Sequence, residues 1–170
     1  MRVSIDPINM TTTDRVEQLL SSLGFSLPEN VKRDIECNLR TNHYNNKHCS
    51  FILDLKTRRI LSYSFNIFFK SDSFPFSIHA EIQSIVKYYK SKSINKNKKA
   101  LIVFKLSRTG LIGNSKCCLN CIRFIKNNMS NLNLKKIYYS TLDNQLVELV
   151  RDGMDDENFK YSKGYLWRQG

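Results

Sequence analysis

The chain contains no apolar run that approaches membrane-spanning length, and its polar N-terminus lacks the apolar core of a secretory signal. A membrane protein and a secreted one are therefore not expected. The expected location is the cytoplasm, with compartments reached from it, such as a nucleus or a virus particle, still open. Prolines number 3 and glycines 6 in 170 residues, too few for a Pro- or Gly-rich linker. No internal repeat or low-complexity tract divides the chain, although it is biased toward Asn and Lys. One domain with an adequate core is the expectation at this length. Disulfide partners are also lacking. Five cysteines is an odd number, and three of them, Cys117, Cys118 and Cys121, crowd together. Crowding of this kind reads as metal chemistry in a reducing compartment, with Cys37 and Cys49 as buried thiols.

Acidic residues are the scarce charge: 15 against 27 Lys and Arg, a net charge of +12. A basic balance favours acidic partners such as nucleotides, single-stranded nucleic acid or an anionic surface. The combined richness in Lys, Asn and Ile is also what AT-rich coding sequence produces, and lysines placed for that reason need bind nothing.

What is present is His79-Ala80-Glu81, and further along Cys118-Leu119-Asn120-Cys121. One imidazole and two thiolates supply three of the four ligands that zinc takes. Three protein ligands leave the fourth position for water, the mark of a catalytic site. Two thiolates cancel the charge of Zn²⁺, so a nearby base must help remove a proton from that water, and Glu81 is the candidate. Ser77 can cap a helix whose apolar positions Ile78, Ile82, Ile85, Val86 and Tyr89 recur at helical spacing. His79 and Glu81 then fall in its first turn. Cys118 and Cys121 share a face of a second helix, continued by Ile122 and Ile125. Two helix N-termini meeting at one metal would aim positive dipole ends at bound anions.

His-x-Glu followed by Cys-x-x-Cys resembles the zinc-dependent cytidine/deoxycytidylate deaminase superfamily. The likeness spans residues 50 to 150 and includes the order of elements: hairpin, helix with His-x-Glu, strand, cysteine helix, strand. It implies a three-layer α/β/α sandwich with a mixed sheet of about five strands. It implies one Zn²⁺ per chain on His79, Cys118 and Cys121, with Glu81 as proton shuttle for hydrolytic deamination. Asn66 stands where the family often keeps a substrate-binding asparagine; the plainer reading is a solvated strand residue. The loop ending Phe74-Pro75-Phe76 lies beside the substrate in that family, so Phe74 and Phe76 either stack on a base or pack on the helix. Cys117 replaces the family's usual proline, and it can compete as a ligand or oxidise with a neighbour. The family commonly assembles through helices flanking the site, which makes a homo-oligomer an expectation.

Along the chain, residues 1–48 read as an N-terminal helical segment packed on the core. One helix starts at Thr13 or Asp14 and ends by Gly24, and a second covers about 29–40. His43 and His48 read as surface histidines beside a metal set complete without them. Residues 49–150 form the deaminase-like core. Cys49 to Leu55 and Ile60 to Phe69 are the expected hairpin strands, Ala100 to Leu106 a buried central strand, and Leu134 to Thr141 the next. Arg108, in the loop before the cysteines, is a candidate anion contact. The cysteine helix is expected to end near Asn127–Asn128. Only a short turn precedes Gln145 to Val150, so the last two strands should be antiparallel. The tail, 151–170, mixes Phe159, Tyr161, Tyr165 and Trp167 with cations, a composition suited either to base stacking or to docking on the core.

These features predict a nucleobase deaminase acting on a nucleoside, nucleotide or polynucleotide, cytosine foremost. The rival is a retired deaminase fold that serves as a basic nucleic-acid-binding or structural protein. Branch features conflict. The closing hairpin is found in free-nucleoside and blasticidin-type branches, whereas Asn66-Ile67-Phe68 and His-Ala-Glu replace the Asn-x-Glu and Cys-Ala-Glu often seen in the former.

Overall fold

Strand alternation decides the architecture. In the computed structural model, which describes residues 10–41, 47–69, 76–91, 94–150, 154 and 159–161, β1 (Lys47–Asp54) and β5 (Lys99–Leu106) are apolar on both faces. Phe51, Leu53, Ile102 and Phe104 pack with Val16 and Leu20 of α1 (Thr12–Ser22) and with Val31 and Ile35 of α2 (Glu29–Thr41). The residues between them, Ile52, Leu101 and Val103, face the other way. They pack with Ile85 and Tyr88 of α3 (Ala80–Lys90) and with Ile122 and Ile125 of α4 (Leu119–Leu132). The result is an α/β/α sandwich, as expected, with α3 and α4 together on one face.

The sheet runs β2-β1-β5-β7-β8, where β2 is Arg59–Phe65, β7 Leu134–Ser140 and β8 Leu146–Glu148. β1 is antiparallel to β2 and to β5, β5 and β7 are parallel, and β7 and β8 are antiparallel. The expected closing hairpin is therefore present. A two-residue strand, β6 (Ile112–Gly113), pairs with the end of β5.

Several local expectations need correction. The run from Ile60 to Phe69 is not one strand. It breaks at Asn66, whose N–H donates to the His48 carbonyl and whose Oδ1 accepts from the His48 N–H at 2.8 Å. Beyond the break, β3 (Ile67–Phe69) pairs with β4 (Phe76–Ile78) in a separate ribbon. Ser77 thus lies in a strand and does not cap α3; His79 is the N-cap residue. α1 starts one residue earlier than expected because Thr11 and Asp14 form a capping box. α4 runs past Asn127–Asn128 to Leu132 and stops at Asn133, which takes the left-handed conformation (φ 51°) open to asparagine. Among the described residues no helix is long and apolar enough to cross a membrane.

Candidate metal centre

Two helix starts converge at the end of the sheet where β5 and β7 finish. β4 delivers His79 to the start of α3 in extended conformation (φ −70°, ψ 150°), and Cys118 precedes α4 in the same way (φ −77°, ψ 166°). The approach to Cys118 is pinned by buried Ser115. Its N–H donates to the Ser140 carbonyl at 2.9 Å and its hydroxyl to the Val103 carbonyl at 2.6 Å. These bonds tie the loop to β7 and β5 together. Farther on, the Leu119 N–H donates to the Lys160 carbonyl, so part of the tail docks on α4.

The Nδ1 atom of His79 lies 3.2 Å from the Cys121 Sγ and 3.5 Å from the Cys118 Sγ. All three ligand atoms fall within 4.8 Å of one another, close enough to hold a metal ion. Zinc–nitrogen and zinc–sulfur bonds meeting at a tetrahedral angle place such atoms about 3.5 Å apart. The donor set of one imidazole nitrogen and two sulfurs also suits zinc. The hydrogen bond from the Cys121 thiol, with His79 adding to it against burial, holds Cys118 down to about 4. Of the two hydrogen-bonded thiols, Cys118 thus gives up its proton more readily, while Cys121, bonded to it, holds its own more tightly than usual.

Glu81 sits in the first turn of α3 and is 4% exposed. Burial raises its carboxyl above the usual carboxylate range, with His79 pulling the other way. It is not one of the three grouped ligands. The Cys117 thiol, also buried, is hydrogen-bonded to the Glu81 side chain, and burial together with that carboxylate raises the thiol well above its ordinary value. Cys117 is therefore the partner of Glu81 and stands outside the ligand group. Adjacency to Cys118 marked it in the sequence; its direction did not show there.

A cavity of about 250 Å³ opens on His79, Cys118 and Cys121, with Ser77, Ile78, Ile82 and Asn120 completing its walls. Sequence reasoning missed Asn120, which carried no signal beyond its place between the two cysteines. Asn66 is buried, not solvated, and the β3–β4 register of Ile67 with Ile78, continued by one residue, sets it across from His79. Arg108 is placed elsewhere: its Nε donates to the Leu39 carbonyl at 2.9 Å, and it lines a second cavity of about 730 Å³ with Thr11, Glu36 and Arg40. That cavity belongs to the α1/α2 side. Phe74 and His43 lie outside the described residues, and of Phe76 only the backbone, in β4, is described. His48 is half-buried on the face of β1 that packs against α3. Burial, with His79 and Lys105 nearby, holds its imidazole down to about 4, so it is neutral at physiological pH. In the tail Phe159 is buried and Tyr161 packs on the α4 cluster, whereas Tyr165 and Trp167 are outside the described residues.

Compared with family models, curated proteins and solved structures, the chain matches none. What stands is an α/β protein with a mixed sheet and a His79-Cys118-Cys121 group near enough to bind one metal ion, an arrangement compatible with a zinc enzyme.

Proposed function

We propose that the protein is a zinc-dependent hydrolytic deaminase of a nucleobase, cytosine foremost. The observation that carries this reading is the pairing of a three-ligand metal set with a carboxyl that is not a ligand. A purely structural site closes its fourth position and needs no acid–base residue. Glu81 is buried beside the ligands, and its raised affinity for a proton suits a group that must both take and give one.

His79, Cys118 and Cys121 would hold the ion. Zinc, when bound, supplies the Lewis acidity that makes water a nucleophile near neutral pH. Glu81 takes a proton from the attacking water and passes protons to the ring nitrogen and the departing amine. Water and the amino-substituted ring become ammonia and the ring carbonyl, with no redox partner required. Ile78 and Ile82 give the cavity apolar walls for a flat ring, and Asn120 adds a polar group that can read its edge.

The test is ammonia release by zinc-loaded protein from cytidine, deoxycytidine, their monophosphates, adenosine, guanine and single-stranded oligonucleotides. One of these is expected to be turned over. Glu81→Gln keeps the zinc and loses turnover by at least about a hundredfold, the scale of general acid–base catalysis. Turnover of that variant at the native rate would overturn the mechanism.

A further inference from the structure

Three consecutive residues of the tail each hold one residue at the start of α4. The Lys160 carbonyl accepts from the Leu119 N–H at 2.9 Å. The buried Phe159 ring lies under the Lys116 ammonium, whose nitrogen stands 4.9 Å from the ring centroid. The Tyr161 hydroxyl accepts from the Arg123 Nη1 at 3.2 Å, and the same guanidinium covers the tyrosine ring at 5.8 Å. In the chain, Lys116, Leu119 and Arg123 stand before, between and after Cys118 and Cys121. Met154 is 1% exposed and joins the apolar cluster that contains Leu119, Ile122 and Phe159, so the tail has an anchor upstream of these contacts as well.

The start of α4 lacks the usual means of satisfying itself. A helix leaves its first N–H groups without partners inside the helix, and an N-cap Ser, Thr, Asp or Asn ordinarily accepts from one of them. Here the N-cap residue is Cys118, whose side chain makes no cap hydrogen bond, and the first turn carries no acidic residue. The Cys118 thiol is turned to His79 instead, its Sγ 3.5 Å from Nδ1. α3 starts in the same way at His79 but carries Glu81 in its first turn. At α4 the acceptor comes from the tail. It fixes the turn that spaces the two cysteines and leaves both thiols to the cation site.

We propose that Phe159, Lys160 and Tyr161 are positioning residues of the metal centre, acting through Lys116, Leu119 and Arg123 to hold Cys118 and Cys121 at the spacing that binds the ion. Metal affinity then depends on the docked tail. The proposal rests on the metal-binding part of the deaminase reading and is independent of the substrate.

The experiment titrates the full chain with Co²⁺, whose absorption bands report thiolate ligation and tetrahedral geometry, and reads zinc affinity from displacement of the cobalt. Leu119→Pro removes the N–H that the Lys160 carbonyl receives. Proline suits a first helical position, and the extended backbone of Cys118 (ψ 166°) suits a proline after it. Leu119→Ala truncates the same side chain and keeps the N–H. Leu119→Pro is expected to bind zinc about ten- to a hundredfold more weakly than Leu119→Ala, the scale of changes to groups that orient metal ligands. Phe159→Ala combined with Tyr161→Ala is expected to weaken zinc binding at least as much and to broaden the cobalt bands. Val16→Ala, in the α1 layer on the other face of the sheet, lowers folding stability and keeps the native zinc affinity, which separates lost positioning from lost stability. Equal zinc affinity in Leu119→Pro and Leu119→Ala, native affinity in the double variant, or equal weakening in Val16→Ala overturns the proposal. Absence of cobalt bands and zinc binding in the native chain removes the metal centre itself. The expected zinc affinities without ammonia release from any nucleobase compound keep the role of the tail and remove the deaminase reading.

Discussion

Glu81 is a carboxyl with almost no solvent around it, and a thiol does part of what water would do. A buried charged group left without a donor is expensive, so the hydrogen bond from Cys117 matters more here than it would at the surface. Cys117 itself stands outside the His79-Cys118-Cys121 group. Cys117→Ala is therefore expected to retain one zinc per chain, and Cys121→Ala to lose it; metal analysis of the purified variants decides. Loss of zinc from Cys117→Ala would show a thiol that had turned into the ligand set. The grouping of His79, Cys118 and Cys121 was legible in the sequence, because Cys-x-x-Cys at a helix start leaves two thiols one turn apart whatever surrounds them. The direction of Cys117 was not legible, since it depends on a carboxyl from a different helix. Asn66 was legible as a position but not as a contact, because its partner His48 lies across a strand pair that no local pattern reports.

Helices and strands were read best where apolar spacing is long and regular. α2, α3 and β5 fall within a residue or two of expectation. Short elements escaped. β3 and β4 are three residues each, too brief for periodicity, and their pairing is set by the break at Asn66. The end of α4 was misplaced because an Asn pair resembles a stop, whereas the chain stops where an asparagine takes a left-handed conformation. At the opposite end of the sheet from His79, Cys118 and Cys121, Asp54 joins elements together. Its carboxylate accepts from the Lys56 and Thr57 N–H groups and from the Asn95 and Asn97 side chains. Burial alone would push this carboxyl up, but the hydrogen bonds from Asn97, Thr57 and Lys56 outweigh it and hold it down to about 2. A carboxyl that is more acidic folded than unfolded contributes stability above its unfolded value of about 4, and that contribution fades as pH falls toward about 2. Asp54→Asn should be less stable than the parent at pH 6, and the difference should shrink across that window. Denaturant unfolding at several pH values measures it; a difference independent of pH would contradict the assignment.

For the molecule as a whole, the order β2-β1-β5-β7-β8 places every polar group of the site at one end of the sheet. β5 and β7 finish there, α3 and α4 begin there, and antiparallel β1 starts there with His48. Ligands of open α/β sheets gather at the carboxyl ends of parallel strands, and this chain follows that rule with its single parallel pair in the sheet as described. The fold class and the metal group were readable from motif and element order. The substrate was not, because a net charge of +12 says only that anions are welcome.

The most direct test of the central claim is X-ray absorption at the zinc edge on the purified, zinc-loaded protein. The account predicts one zinc per chain bound by two sulfurs, one imidazole nitrogen and one further light atom, the open position of a catalytic site. A closed shell of four protein ligands, a third sulfur from Cys117, or no bound zinc would contradict it.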